Sequence, residues 1–273
     1  MKRKILLTAV LIIFGILVYQ LLYGRLFPLS PFVTGFNKQE YQRAIIYYRS
    51  ADISRFGSID SLVQAIEQSH QLTFGRKVEI FICDTDRQYH SYTGANARFI
   101  TMPIYGRIFV SARAADDYQN LRIYLDTYLK HELSHSLLYQ NMSLFHSLQY
   151  PGWFMEGLAT YSAGQMGVDG YLTPGETAAK IREGYFVEPK DWGTIISPKG
   201  KTIKEITIEN KFHFIYAEFA LIISDLIQTQ GENRFWEFLH RSLQQKDFYG
   251  LFSKTFGIDF ESYIKKLSTV PQK

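Results

Sequence analysis

The sequence contains very little cysteine: Cys83 is the only one among 273 residues. A single thiol cannot close a disulfide within the chain, and it cannot build a cysteine-based metal cluster. Its position in the apolar run VEIFICD predicts a small buried side chain. The composition therefore leaves histidine and carboxylate side chains as the residues able to bind a metal.

Long runs of one charge are also missing. The chain has 30 Lys and Arg against 26 Asp and Glu, a net charge of +4, and its basic residues are scattered beyond the N-terminal MKRK. Nucleic-acid-binding surfaces need clustered basic side chains. We therefore predict no nucleic-acid partner. The 46% hydrophobic content is ample for a packed core.

Charge is wholly absent from residues 5–23, ILLTAVLIIFGILVYQLLY. As a helix, this segment is about 28 Å long, close to the hydrocarbon thickness of a bilayer. Three cations precede it and only Arg25 closely follows, which predicts a cytoplasmic N-terminus and an exported remainder. No small-x-small cleavage site follows, so a retained single-pass anchor in the cell membrane is favoured over a cleaved signal peptide or a buried soluble helix.

The remaining chain predicts an α+β fold, because strand-like segments come early and helical segments late. We assign residues 1–27 to the membrane anchor, 28–40 to a linker and 41–273 to one catalytic domain. KVEIFIC, RFITMP and GRIFVSA are predicted strands. The last is either an edge strand able to pair with an extended peptide or a plain core strand. TDRQYHSYTGANA is predicted as a loop, residues 118–139 as one long helix, and residues 165–210 as loop-rich.

The segment HELSH within that long helix has the pattern H-E-x-x-H. On a helix, His131 and His135 share one face, one turn apart, where both can reach a single ion. Glu132 is next to the first ligand and can accept a proton from a water without binding the metal. The pattern predicts a zinc site with Glu132 as general base. Two ordinary histidines on an amphipathic helix are the alternative.

A third ligand is required, since catalytic zinc takes three protein ligands and an open position. Glu156, in GWFMEGLATY, lies twenty-one residues after His135, enough for the chain to turn and place a second helix alongside. A lone carboxylate in an apolar helix is costly to bury unless it is paired or metal-bound. Asp169 and His146 are the next candidates. His146 and His90 otherwise have no partner at ligand spacing and are predicted to face solvent.

Together, H-E-x-x-H and the later W-x-x-E-G-x-A resemble the gluzincin metallopeptidases, in particular the peptidase-MA-like group related to the M1 aminopeptidases. The resemblance extends from about residue 78 to 267, and it is weaker through IYAEFALIISDLIQTQGENRFWEFL and FSKTFGIDF. It implies a thermolysin-like zincin domain with one Zn²⁺ per chain, held by His131, His135 and Glu156. It also implies an oxyanion donor near the start of a later helix, for which Tyr216 and His213 are the candidates.

Two departures from the family pattern refine this expectation. The stretch MPIYGRIFVSA has no acid to bind a substrate's free amino terminus, so an endopeptidase is favoured over an aminopeptidase. Thr160 stands where thermolysin-like enzymes have an aspartate beside a ligand histidine. We therefore expect hydrolysis of a peptide or unfolded protein close to the membrane. The alternatives are a zinc-containing binding or assembly factor without turnover, and a metal-dependent hydrolase of non-peptide substrates.

Overall fold

A computed structural model describes residues 2–199 and 207–269. The predicted loop-rich segment 165–210 therefore includes residues that lie outside the described part. The fold is α+β, as predicted. The chain forms two compact units: Met1–Asp60 with Lys77–Arg122, and Ser61–Arg76 with Ile123–Lys273. The predicted boundaries at residues 27 and 40 stay a prediction.

The first unit contains a five-stranded mixed sheet in the order β1-β2-β3-β5-β4. Its strands are β1 (Asn37–Glu40), β2 (Ala44–Tyr48), β3 (Val78–Ile82), β4 (Phe99–Met102) and β5 (Arg107–Val110). The two outer pairings, β1 with β2 and β4 with β5, are antiparallel, whereas β2–β3 and β3–β5 are parallel. The prediction that GRIFVSA forms an edge strand is therefore wrong, because β5 is hydrogen-bonded on both sides.

The N-terminal helix α1 (Lys2–Tyr23) leads into this unit. From Arg3 to Tyr23 it is long and apolar enough to span a membrane, and no residue of its apolar window is buried. The next residues are fixed to the sheet rather than free. Phe27 is buried, and Arg107 donates from Nη1 to the carbonyl oxygens of Pro28 and Ser30, at 3.1 and 2.8 Å.

Two further helices of the first unit differ from the sequence expectations. They are α3 (Asp86–Thr93) and α4 (Ala112–Gln119). The segment that was predicted as a loop forms α3, because Thr85 caps its first turn by accepting the Gln88 amide and Gly94 ends it with φ of 72°. The predicted long helix 118–139 is also wrong, because Leu121 has φ of 57°, a left-handed conformation that no α-helix continues through.

The second unit is helical. Helix α2 (Ile59–His70) belongs to it from Ser61 onward. The other helices are α5 (Leu125–Gln140), α6 (Leu144–Gln149), α7 (Gly152–Ser162), α8 (Pro174–Arg182), α9 (Lys211–Gln230), α10 (Glu232–Ser242), α11 (Phe248–Phe256) and α12 (Phe260–Thr269). Their buried faces form an aromatic core that includes Trp153, Phe154, Phe219, Phe235, Phe238 and Phe252.

Helix α7 packs very closely against α9 at Gly157. A Cβ on Gly157 would lie 2.7 Å from the carbonyl oxygen of Phe219 in α9, so only glycine fits there. The partner in this close approach is therefore the backbone of α9. The contact fixes α7 along its length, and with it the glutamate that precedes Gly157.

Candidate metal centre

Helix α5 brings His131 and His135 together as its sequence spacing predicts. Both side chains are buried, and their Nε2 atoms lie 3.1 Å apart. The helix begins at Leu125, directly after Tyr124, whose amide donates to Asp169 Oδ2 at 3.0 Å. The two imidazoles therefore lie well inside a regular helix, where i and i+4 side chains share one face.

Helix α7 supplies the third donor. The Glu156 Oε2 atom lies 3.3 Å from Nε2 of His131 and 3.4 Å from Nε2 of His135. The helix starts after Pro151, and the Gly152 amide donates to the carbonyl of Gly193 at 2.9 Å. The three residues that the sequence singled out as ligands thus converge within the second unit, and they form a group that could hold a metal ion.

The donor–donor distances suit a tetrahedral zinc ion. Zinc bonds of about 2.0–2.1 Å at tetrahedral angles place two ligand atoms about 3.3 Å apart. The three measured separations lie between 3.1 and 3.4 Å. Two imidazole nitrogens and one carboxylate oxygen are also the donor types of three-ligand catalytic zinc sites, so the residues fit this metal.

The electrostatics of the cluster couple Glu156 to the two histidines. Burial raises the pKa of Glu156, but the two neighbouring histidines outweigh this effect and lower it to about 2. Burial conversely lowers the pKa of His135, yet Glu156, followed by Glu132, raises it above its ordinary value. Each shift means that the cluster stabilises a negative carboxylate beside positive charge.

Gln165 contacts the first candidate ligand, His131, a contact that the sequence did not predict. Its Oε1 lies 2.9 Å from Nδ1 of His131, and its side chain is fully buried. With this acceptor the imidazole carries its proton on Nδ1, which leaves the Nε2 lone pair free to bind a metal. Thr160, the expected partner of a ligand histidine, does not serve this purpose: its Oγ1 and the His135 Nδ1 have no hydrogen-bond partner within the described ranges.

Replacing Gln165 with alanine is expected to lower zinc affinity by roughly 10- to 100-fold, the usual cost of losing a residue that orients a metal-bound histidine. Gln165→Glu should retain the affinity, because its carboxylate accepts the same proton. Competition with a fluorescent zinc chelator would measure both variants. Equal affinities in the wild type and the alanine variant would show that α5 alone orients His131.

Glu132 is buried on α5 beside the first ligand. Its charge contributes to the pKa of Tyr216. That pKa is raised well above its ordinary value, first by burial, then by Glu156 and Tyr171, and then by Glu132. Tyr216 therefore keeps its proton. Its ring also stacks on His131, with centroids 6.1 Å apart, so this predicted oxyanion donor lies at the cluster.

His213, the other predicted oxyanion donor, stacks face to face on Tyr171, with ring centroids 4.3 Å apart. Burial raises the pKa of Tyr171, and Glu156 and Glu132 contribute to the shift, so this tyrosine also lies within the field of the cluster. The geometry thus stacks Tyr216 on His131, one of the candidate ligands. It connects His213 to the site through Tyr171.

The two reserve candidates for the third ligand have other roles. His146 is buried, and its Nε2 lies 2.8 Å from the carbonyl oxygen of Ser242, so the prediction that it faces solvent is wrong. Asp169 accepts the Tyr124 amide, as described above. The prediction for His90 is confirmed, because it is exposed on α3.

The back of the metal helix contacts another buried histidine. His70, the last residue of α2, places Nε2 2.8 Å from the Ser134 hydroxyl and Nδ1 3.0 Å from the carbonyl oxygen of Ile66. Burial lowers its pKa to about 4, and the positive charges of His135 and His240 contribute. A neutral His70 therefore joins α2 to α5 within the second unit.

This histidine should make stability depend on pH. Between about pH 6.5 and about pH 4 the unfolded chain binds a proton at His70 that the folded chain refuses, so the unfolding free energy should fall by up to about 3 kcal/mol as the pH drops through that window. Denaturant titrations of the wild type and His70→Gln at several pH values would isolate the effect, since glutamine cannot be protonated. The same pH slope in both proteins would contradict it.

No protein-family model matches the chain, and no curated protein matches it. The resemblance to gluzincins therefore depends on the motif residues alone.

Proposed function

We propose that the chain is a membrane-anchored zinc metallopeptidase of the gluzincin type that hydrolyses peptide bonds as an endopeptidase. The observation that carries the proposal is the convergence of the His131, His135 and Glu156 donor atoms at 3.1–3.4 Å, with Glu132 next to the first of them. Sequence spacing alone does not bring Glu156 to the two histidines, so this geometry is independent support for the ligand set.

Each residue of the cluster has a definable role in that reaction. When bound, zinc acts as a Lewis acid and lowers the pKa of a water in its open position toward about 7. Glu132 accepts a proton from the attacking water and passes it to the leaving amine nitrogen. Tyr216, held protonated by its burial and by Glu156, donates a hydrogen bond to the oxygen that becomes negative in the transition state.

Endopeptidase activity is favoured because the stretch MPIYGRIFVSA (102–112) contains no carboxylate that could bind a substrate's free amino terminus. The substrates proposed are exported or membrane-proximal peptides and unfolded proteins. The proposed location is the cell membrane, crossed by residues 5–23, with the N-terminus in the cytoplasm and both folded units on the exported side. The charge asymmetry around α1 supports this orientation.

Metal analysis coupled to cleavage tests this function. Full-length protein in detergent should contain one zinc per chain and cleave unfolded casein and a quenched peptide library, and a chelator should abolish the cleavage. A zinc-containing binding factor would retain the metal without any turnover. A hydrolase of other substrates would leave peptides intact but act on cell-wall material. Either outcome would overturn the peptidase proposal.

The membrane location predicts the behaviour of two forms of the protein. The full-length chain should stay in the pellet after carbonate extraction, and protease should reach both units only from the exported side. A variant without residues 1–24 should be recovered in the supernatant, because it retains the buried Phe27 and its neighbours bound by Arg107. A mature N-terminus beyond residue 23, or protection of the units in the cytoplasm, would contradict the prediction.

A further inference from the structure

The second unit has an exposed group of large apolar side chains away from its core. Two lie on the short helix α6, where Leu144 is 39% and Phe145 77% exposed. Two others occupy a tight turn, where Ile195 is 43% and Ile196 58% exposed. The Ile196 amide donates to the carbonyl of Leu148 at 3.2 Å, so the turn is bound to α6. We call these four exposed side chains the apolar patch.

The backbone holds the two isoleucines outward. The Thr194 amide donates to the carbonyl of Ser197 at 3.1 Å, and a β-bridge joins Gly193 to Pro198, so residues 195 and 196 form the tip of a closed turn. Turn tips normally carry Gly, Asn, Asp or Ser. Single exposed apolar residues are ordinary, but four large ones on two hydrogen-bonded elements indicate an interaction surface.

The chemistry of the surroundings identifies the kind of partner. The two segments that form the patch, SLFHSLQ (143–149) and GTIISPK (193–199), contain no acidic residue, and Lys199 is their only Lys or Arg. Serine, threonine and glutamine border the apolar side chains. Exposed apolar side chains on two segments that carry no acidic residue suit the interface of a bilayer, including one with anionic lipids.

We propose that the apolar patch inserts into the headgroup and upper acyl region of the same bilayer that α1 crosses. The chain's own anchor would confine the second unit near that surface, so even weak insertion becomes effective without a large binding energy. Residues of this type lie about 5–10 Å deep at such interfaces. The inference depends on the membrane location proposed above, and it is independent of zinc and hydrolysis.

Insertion would have a direct consequence for the candidate metal centre. Helix α6 leads directly into Pro151 and α7, and Gly193, at the base of the turn, accepts the Gly152 amide. Both patch elements thus adjoin the first turn of the helix that carries Glu156. Contact of the patch with lipid would hold the metal centre at a fixed height and orientation above the membrane, where it meets membrane-proximal chains.

Site-specific fluorescence on the full-length protein tests the insertion. Cys83 is buried, and burial raises its pKa to about 12, so a label will attach to an introduced cysteine. Bimane would be placed on Ile196→Cys and, as a control, on Gln228→Cys, an exposed position of α9. Both proteins would be reconstituted in vesicles of phosphatidylcholine and phosphatidylglycerol that contain a nitroxide-labelled lipid.

We expect several-fold stronger quenching by the lipid nitroxide at residue 196 than at residue 228, and a loss of that difference when Phe145 and Ile195 are both changed to serine. Equal quenching at the two positions would overturn the proposal. A different result would also overturn it: a label at residue 196 that the lipid nitroxide does not quench but that is shielded from aqueous iodide, with shielding that increases with protein density. That result would mean that a second protein covers the patch. The same quenching measurement on a labelled protein that also carries Glu132→Gln should give the same result, because insertion of the patch does not depend on hydrolysis.

Discussion

Replacing Glu156 with glutamine is expected to weaken zinc binding by roughly 10²- to 10³-fold. Structural zinc sites with four ligands bind with about 10–16 kcal/mol, so one ligand accounts for about 3–4 kcal/mol. Glutamine keeps the shape of the side chain but removes the charge that lies 3.3 and 3.4 Å from the two histidines. Peptide cleavage should disappear at low free zinc and recover in part when zinc is added in excess.

Glu218→Gln provides a matched control for this measurement. Glu218 is a fully buried glutamate of the second unit, its carboxylate accepts the Val187 amide, and it is not among the candidate ligands. Burial raises its pKa well above the ordinary value, so a neutral amide is a close replacement. Zinc affinity should be unchanged in this variant. Unchanged affinity in Glu156→Gln as well would mean that the third ligand is another residue.

The two histidines and Glu156 could be predicted from the sequence because their chemistry has a short-range signature. His131 and His135 lie one turn apart on a single helix, and Glu156 is a lone acid in an apolar helix. Gln165 could not be predicted in this way. It lies 34 residues from His131, and only the turn that follows α7 brings its side chain to the ligand. Residues that orient a ligand follow no fixed spacing, because they depend on tertiary contacts.

The secondary structure likewise has elements that the local sequence predicts and elements that depend on distant contacts. The apolar strands β3, β4 and β5 were predicted, whereas β1 has the sequence NKQE, and all four of its side chains are exposed. This segment is a strand because it pairs with β2; its own sequence has no alternation of apolar and polar residues. Similarly, α3 is polar, and its capping residues Thr85 and Gly94 were the only sequence signal of a helix.

Burial of polar side chains was the least predictable property. His146 has no partner at ligand spacing, which favoured a solvent-facing position, yet its Nε2 lies 2.8 Å from the Ser242 carbonyl, 96 residues further along the chain. A histidine can enter a core when one distant acceptor satisfies its ring nitrogen. The sequence does not reveal which carbonyl will be available, so such residues resemble exposed ones until the fold is known.

Glu132→Gln is expected to lower the rate of peptide cleavage by about 10²- to 10⁴-fold, the range typical of a lost general base. Zinc content should stay at one per chain, because the proposed donor atoms belong to His131, His135 and Glu156. Glutamine is nearly isosteric with glutamate and cannot accept a proton at neutral pH. The measurement is kcat on a quenched peptide at saturating zinc, together with metal analysis of the same sample.

The pattern across variants distinguishes the proposed base from a ligand. A ligand variant such as Glu156→Gln should regain some activity when zinc is added, whereas Glu132→Gln should not, because its metal is already bound and its proton acceptor is missing. Glu218→Gln should behave like the wild type in both assays. Full activity in Glu132→Gln would remove this residue from the reaction, and loss of zinc from that variant would instead make Glu132 a ligand, with the water activated by another group.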